Sequence, residues 1–222
     1  MKFFKQPPLK TGLSTGRIEA FSDGVFAIAI TLLILAVTVP EHAPEATAHP
    51  ELSAQIVALW PKILSYAISF AVIGIFWVGH HIMFHYIKRS DRTLLWLNIL
   101  FLMMISFIPF PAALLGQYGA DRTAVIVYGA TLMAAGLMIE AIWLYASAGR
   151  RLISPTLDPA LIRMATGIVL AGPIVYLIAV ALAFVNPLWS ILIYIVVPVA
   201  YVIPSPIDRL ADFDASDDAP VE

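Results

Sequence analysis

Several residue types that support common protein functions are scarce in this chain. Its 222 residues include no cysteine, which excludes disulfide bonds and thiolate metal ligands and leaves the redox compartment undetermined. Only 13% of the residues are charged and the formal net charge is -2, so we predict no nucleic-acid partner and no strongly acidic partner. Apolar residues make up 60% of the chain, and the mean hydropathy is +0.88. These values identify an integral membrane protein.

The apolar residues are grouped in runs long enough to cross a bilayer. A helix of about 20 residues spans a hydrocarbon core of roughly 30 Å. The sequence predicts an all-α membrane protein with six transmembrane helices, at 18–39, 63–87, 94–115, 124–146, 162–184 and 188–203. The last two share one uncharged stretch, which Asn186-Pro187 divides because proline cannot continue a helix.

The basic residues indicate which side of the membrane each loop faces. If the N-terminus is cytoplasmic, only Lys62 and Arg122 of the 13 lysines and arginines lie outside. This distribution agrees with the positive-inside rule, and six spans return the C-terminus to the cytoplasm. The sequence therefore predicts a cytoplasmic N-terminal segment (1–16), a six-helix transmembrane domain (17–207) and an acidic, disordered cytoplasmic tail (208–222).

Polar side chains from the first four spans fall at one depth, near the cytoplasmic side. A charged side chain at the centre of a membrane helix costs roughly 2.5 to 3.5 kcal/mol, so such groups usually find partners. Arg17 and Asp23 are about 240° apart around a helix and are not expected to pair with each other. We predict an interhelical network instead. The candidate members of this network and of the motif that opens the first span are Arg17, Phe21, Ser22, Asp23, Trp77, His80, His81 and Asn98.

The histidines of the second span could also suggest a metal site. His81 and His85 are one helical turn apart and could both ligate zinc or iron. No second ligand set accompanies them except His42 and His49, which fall in a predicted outside loop. We therefore predict no metal site and no cofactor.

Glu140 leaves a second function open. It lies toward the cytoplasmic end of the fourth span, where it could carry protons or serve as a neutral packing carboxyl. The alternative function is thus a proton- or cation-coupled secondary transporter that uses Asp23, Glu140 and the histidines of the second span. No Ser/His or Asp/Asp arrangement on facing spans supports catalysis, so we predict that the chain is not an enzyme.

Beyond Asp23 the first span contains no ionisable group. Steps of four and three residues connect its large apolar side chains into one stripe, which consists of Phe21, Val25, Ile28, Leu32, Leu35 and Val39. Thr31 and Thr38 lie beside this stripe. A stripe of this kind usually packs against lipid or a neighbouring helix, and periodicity alone favours that interpretation over a role in lining a pore.

A motif at the start of this span distinguishes these possibilities. Arg17, followed four residues later by Phe21-Ser22-Asp23 and an Ile/Leu-rich span, resembles the R-x-x-x-F-S-D signature of the transmembrane protein 175 family of potassium channels. The six spans and the segment 77–81 extend the likeness, and the single six-helix unit resembles the prokaryotic members. The resemblance implies a homotetramer in a bacterial inner membrane, in which the first helix of each subunit lines a central pore.

The resemblance also implies which residues face that pore. The family's constriction of isoleucine or leucine falls on Ile28, and further pore-facing positions fall on Thr31, Leu32 and Leu35. The chain has no T-V-G-Y-G loop, in agreement with a pore narrowed by apolar side chains and not by a carbonyl filter. The expected function is a potassium-permeable channel with a hydrophobic gate and a modest preference for potassium over sodium. The expected partners are potassium and other monovalent cations, the lipid bilayer, and further copies of the same chain.

Overall fold

The computed structural model describes residues 15–39 and 51–202, and these ranges contain helices and no β-strand, apart from one isolated bridge between Ile87 and Ile153. The helices are α1 (Thr15–Leu32), α2 (Leu52–Ala58), α3 (Trp60–Tyr86), α4 (Arg92–Phe107), α5 (Pro109–Tyr118), α6 (Arg122–Ser147), α7 (Pro159–Ala183) and α8 (Pro187–Val202). Short 3₁₀ turns follow α1 at Leu33–Ala36 and α6 at Ala148–Arg150. The predicted N-terminal segment up to residue 14, the loop with His42 and His49, and the predicted acidic tail lie outside the described residues.

The helices agree with a protein that crosses the membrane several times. Five helical segments of the described ranges are long and apolar enough to span a bilayer, and α8 is a sixth, shorter apolar helix. The predicted all-α architecture is therefore confirmed. The last two spans separate where the sequence predicts, because α7 ends at Ala183 and Pro187 opens α8.

Three details differ from the predicted spans. The span predicted at 94–115 is divided, since α4 ends at Phe107 and α5 begins at Pro109. The cause is that neither Pro109 nor Pro111 has an amide hydrogen with which to continue α4. The first span changes from α to 3₁₀ geometry at Leu33. The short helix α2 falls within the predicted outside loop, where the sequence analysis predicts no helix.

At one end of the bundle, backbone hydrogen bonds tie two loops together. The N–H groups of Lys88 and Arg89, which follow α3, both donate to the carbonyl of Leu152 after α6, over 2.9 and 3.2 Å. We call this the basic end of the bundle because of the basic residues that α3, α4, α6 and α7 place there. They are Lys88, Arg89, Arg92, Arg150, Arg151 and Arg163.

A carboxylate at the basic end links α4 to α6. Asp91 caps α4, because one of its oxygens accepts a hydrogen bond from the N–H of Leu94 over 2.9 Å. Its other oxygen accepts a hydrogen bond from the hydroxyl of Tyr145 on α6 over 2.7 Å. The guanidinium of Arg151 lies 4.7 Å from the centre of the Tyr145 ring. One aspartate thus fixes both the start of α4 and its position against α6.

At the opposite end, tyrosine side chains fill the contact between α6 and α8. The hydroxyl of Tyr194 donates to the carbonyl of Val125 over 3.0 Å, and the Tyr194 and Tyr128 ring centres are 5.0 Å apart. A hydrogen bond of 3.0 Å also joins the hydroxyl groups of Tyr128 and Ser69 on α3. Gly129 makes this packing possible, since a Cβ atom at that position would clash with the Tyr194 hydroxyl oxygen. The helices α3, α6 and α8 therefore pack together around the buried side chains of Tyr128 and Tyr194.

We expect Gly129→Ala to lower the free energy of unfolding by about 1 to 3 kcal/mol, because the added methyl group has to displace the Tyr194 ring. Gly74→Ala is the matched control: Gly74 also lies within a helix, but a Cβ atom there meets nothing within 4 Å. Thermal unfolding of both purified variants, followed by tryptophan fluorescence, makes the comparison. An equal loss of stability in the two variants would contradict the close packing of Tyr194 on α6.

The hydrogen bonds of Asp91 predict a pH-dependent contribution to stability. Burial by itself raises the pKa of Asp91, but hydrogen bonds and a nearby positive charge outweigh burial and hold this pKa below its usual range. The groups responsible are the N–H of Leu94, the Tyr145 hydroxyl, the N–H of Thr93 and the charge of Arg151. Because the folded pKa is the lower one, this contribution is present above the unfolded pKa of about 3.9 and is lost as the pH falls through the folded value.

We therefore expect Asp91→Ala to reduce the free energy of unfolding at pH 7 by about 1 to 3 kcal/mol, through loss of the cap and of the Tyr145 hydrogen bond. The difference from the parent protein should shrink on acidification. Asp158→Ala is the control, since Asp158 caps α7 through the N–H of Ala160 over 2.8 Å without a tyrosine partner. Urea unfolding across the pH range gives the measurement, and a pH-independent effect of Asp91→Ala would contradict the assignment.

Candidate functional site

Helix α1 is packed on one side only. Its buried side chains face α3, α4 and α5, and they are Ile18, Ser22, Phe26 and Ala29, with Leu33 in the 3₁₀ turn. The apolar stripe predicted from the sequence lies on the other side, where Ile28 is 60%, Leu32 42% and Leu35 69% exposed. The single chain therefore presents a continuous apolar surface of α1 to its surroundings.

The 3₁₀ turn keeps the end of this stripe aligned. Residues three apart eclipse each other in a 3₁₀ helix, whereas in an α-helix the same step turns by about 300°. Leu35 consequently remains on the side of Leu32. The exposed Thr31 lies beside them, and its hydroxyl donates to the carbonyl of Ile28 over 2.8 Å. Because the hydrogen atom is used within the helix, the lone pairs of the Thr31 oxygen are left for a ligand.

A chain of buried hydrogen bonds joins α1, α4 and α3. The Ser22 hydroxyl donates to the carbonyl of Ile18 over 2.8 Å and accepts a hydrogen bond from Nδ2 of Asn98 over 3.0 Å. Oδ1 of Asn98 lies 2.9 Å from Nε2 of His80, and since an amide oxygen only accepts, His80 is the donor. Ser22, Asn98 and His80 are each at most 2% exposed. The Asn98 amide is thus the link between the other two side chains.

Aromatic rings from three helices enclose the imidazole of His80. Its ring centre lies 4.4 Å from that of Phe84 and 5.7 Å from that of Phe101, and both pairs are stacked. Phe26 of α1 approaches the imidazole edge-on, with the ring centres 5.8 Å apart. None of these rings is among the residues predicted from the sequence. The one signal available was the four-residue step from His80 to Phe84, which places both on one face of a helix.

A second link between α1 and α3 lies closer to the surface. Nε1 of Trp77 donates to Oδ1 of Asp23 over 2.8 Å, and the imidazole of His81 stacks on the Trp77 ring with the centres 5.9 Å apart. All three side chains are exposed in the single chain. Asp23 lies about 140° around α1 from Ile28, so its carboxylate does not share the side of the stripe.

The remaining predicted residues stay apart from these links. Within 15–39 and 51–202, Arg17 makes no hydrogen bond or ion pair, and both Arg17 and Phe21 are exposed. Glu140 is buried in α6, and its Oε2 has no hydrogen-bond partner in the part of the chain that the structure describes. His85 is exposed near the end of α3. In the same part of the chain, no group of three or more His, Cys, Asp or Glu side chains could hold a metal ion.

Comparison with known proteins places these features in a family. The family model described as Endosomal/lysosomal potassium channel TMEM175 matches residues 17–109, which include the R-x-x-x-F-S-D motif, α3 and α4. A potassium channel of Chamaesiphon minutus is 38% identical over 194 residues, which cover 86% of this chain and 95% of that protein. A potassium channel of Streptomyces collinus is 43% identical over 177 residues, which cover 78% and 84% of the two chains.

A solved structure extends the likeness to three dimensions. The crystal structure of a lysosomal potassium-selective channel TMEM175 homolog from Chamaesiphon minutus matches with a TM-score of 0.75 at 37% identity. The match covers 84% of this chain and 95% of that one, and so reaches well beyond the opening motif. The family consists of ion channels and not of enzymes, in agreement with the sequence prediction. The chain therefore belongs to the TMEM175 family of potassium channels.

Proposed function

We propose that four copies of this chain form a potassium-permeable cation channel in the inner membrane of a bacterium, with α1 lining the pore. The bacterial relatives that match over most of their length are named potassium channels, which supports the choice of ion. The chain supplies five helices that can span the membrane and a shorter sixth. The same relatives favour this function over the transporter alternative.

The observation that carries the proposal is the mixed character of the unpacked part of α1. This part combines large apolar side chains with the exposed Asp23 and Thr31, all within a segment that can span the membrane. Asp23 lies near the proposed cytoplasmic end of α1, where it is bonded to Trp77, and Thr31 lies two turns deeper beside the apolar stripe. Polar groups within a membrane span favour a position beside protein or water. A tetramer around a central pore would supply both.

In this assembly Ile28, Leu32 and Leu35 of the four subunits form successive apolar rings around the axis. A narrow apolar ring gates by dewetting, because it offers an ion nothing to replace its hydration water. The Thr31 oxygens lie between these rings and present lone pairs to a partly dehydrated cation. We propose that this combination gives a modest preference for potassium over sodium.

The hydrogen bonds of α1 have a different role in the proposal. The buried link from Ser22 through Asn98 to His80, and the link from Asp23 to Trp77, both attach α1 to its own subunit. They fix the rotation of α1 about its axis, and this rotation decides which side chains reach the pore. We assign these residues a positioning role beside the pore.

The charges at the two ends of the bundle support one orientation in the membrane. The basic end carries the six lysines and arginines named above, whereas the opposite end of the described helices carries Lys62 and Arg122. Cytoplasmic loops are enriched in basic residues. We therefore propose that the basic end, and with it the start of α1, faces the cytoplasm.

We expect Ile28→Asn to raise potassium flux by about tenfold or more, which corresponds to a barrier lowered by roughly 1.4 kcal/mol. The reason is that an amide at the narrowest ring holds water where isoleucine excludes it. Ile28→Val is the matched control, since it keeps the ring apolar. Potassium, sodium and caesium currents of the purified protein in planar bilayers provide the measurement, with discrete single-channel openings expected.

Two results would contradict this proposal. Flux that is insensitive to substitutions at Ile28, Leu32 and Leu35 would exclude α1 as the pore wall. Saturable turnover by a monomer or dimer, without discrete openings, would exclude a channel altogether and favour a carrier.

We expect Asn98→Leu to lower the free energy of unfolding by about 1 to 3 kcal/mol, because the Nε2 hydrogen of His80 loses its buried acceptor. If the link fixes the rotation of α1, the variant should also change the open probability of single channels. Ser106→Ala is the control on the same helix, since the Ser106 hydroxyl is exposed and donates only to the carbonyl of Met103. Unchanged stability and unchanged gating in Asn98→Leu would exclude the positioning role.

A further inference from the structure

An apolar cavity lies between α3, α6, α7 and α8, outside the contacts that position α1. Its volume is about 430 Å³. The side chains that line it are hydrocarbon, apart from two tyrosines, Tyr176 of α7 and Tyr201 of α8. Neither the proposed pore nor the polar network uses any residue of this cavity.

Glycine and proline residues create the space. Gly79 of α3 and Gly172 of α7 line the cavity without filling it, and a Cβ atom at Gly172 would meet nothing within 4 Å. Pro173 lies inside α7 and cannot donate to the carbonyl of Val169 one turn earlier, which also lines the cavity. Gly136 of α6 receives the proline ring, since a Cβ atom there would lie 2.9 Å from Cγ of Pro173. The cavity is therefore a consequence of how α6 and α7 fit together.

A second, smaller cavity of about 60 Å³ continues the first toward the basic end. The two share Gly79, Ile168, Val169 and Tyr201, and the residues that the second adds include Tyr86 and Trp143. Along α3 the combined space reaches from Val72 to Tyr86, about 21 Å at a rise of 1.5 Å per residue. One leaflet of a bilayer has a hydrocarbon layer of about 15 Å, half of the roughly 30 Å core. The space is thus long enough to follow one acyl chain from the headgroup level to the middle of the membrane.

We propose that these cavities hold an acyl chain of an anionic phospholipid, with the headgroup at the basic end. Water is a poor occupant, because a buried water molecule needs two to four polar partners and the lining offers only two hydroxyl groups. Acyl chains are the medium around the helices at this depth and fill an apolar space without loss of hydrogen bonds.

The choice of an anionic headgroup rests on charge. The exposed Lys88 and Arg89 follow Tyr86 within three residues, at the end where the smaller cavity reaches the basic end. Basic residues at this level attract anionic lipid phosphates. Tyr86, Trp143 and Tyr201 line the cavity near the same end, and aromatic side chains of this kind favour the level of the headgroups.

Photo-crosslinking in vesicles tests the proposal. The full chain is reconstituted in phosphatidylcholine vesicles with a small fraction of phosphatidylglycerol that carries a diazirine in one acyl chain, and adducts are mapped by mass spectrometry. We expect adducts on Val169 and Val175, which line the cavity, well above those on Leu170 and Ile174, which are exposed on α7 but do not line it. An even distribution over the exposed residues of α7, or the absence of adducts on Val169 and Val175, would overturn the proposal.

A matched pair of substitutions separates binding in the cavity from general contact with lipid. Gly172→Leu should reduce the adducts on Val169 and Val175 by about tenfold or more, because the leucine takes the place of several methylene groups. Gly167→Leu introduces the same side chain on α7 at a position that is also open but does not line the cavity. This variant should leave the adducts on Val169 and Val175 unchanged. Equal labelling of the two variants would exclude the site.

A second filling variant and a second probe complete the test. Gly79→Leu fills the cavity from α3, where a Cβ atom meets only Cδ1 of Ile139 at 3.9 Å, and should reproduce the loss seen with Gly172→Leu. Retained labelling in a folded Gly79→Leu protein would overturn the site. Phosphatidylcholine with the same diazirine chain should label Val169 and Val175 more weakly than phosphatidylglycerol, and equal labelling would overturn the choice of an anionic lipid.

Discussion

Acyl chains offer no hydrogen bonds, so each polar side chain within the spans has to find its partner inside the protein or at water. In this chain the requirement is met most completely at Asn98, whose amide accepts from His80 and donates to Ser22. The three residues come from three helices and are almost fully buried. Because no other group can replace these partners in an apolar interior, the link fixes the positions of α1, α3 and α4 relative to one another. Aromatic rings pack around His80 at this link, and the Ile28 stripe lies on the other side of α1.

Helix α1 thereby acquires two sides with different physical roles. Ser22 and Phe26 pack into the subunit, and Asp23 is held by Trp77 at the border between the two sides. The side with Ile28 and Leu35 has no partner within the described chain, which is why we propose that it lines a pore between subunits. The 3₁₀ turn after Leu32 keeps Leu35 on the same side of the helix as Leu32. We propose that hydrogen bonds away from the ion position this gate.

Much of this organisation can be predicted from the sequence. The break at Asn186-Pro187 follows from stereochemistry, and the periodicity of a helix is enough to place Ile28, Leu32 and Leu35 in one stripe. Their selection from that stripe as pore-facing residues came from the family resemblance. Other features could not be predicted, because they depend on contacts between distant segments. The aromatic enclosure of His80 requires Phe101 and Phe26 to arrive from other helices. The division of the third span was overlooked although its prolines were visible, since hydropathy does not register a missing amide hydrogen.

The sequence by itself determined that the chain is a helical membrane protein, where the spans begin and end to within a few residues, and which family signature opens the first span. These properties are local, because hydropathy, proline positions and a short motif act within one turn or one span. Only the tertiary structure decided which polar residues meet, that Arg17 stays outside the hydrogen-bonded links of the described chain, and that an apolar cavity lies between α3, α6, α7 and α8. The reason is that the rotation of each helix about its axis is set by its neighbours, and rotation alone decides whether a side chain meets a partner, a cavity or the outside.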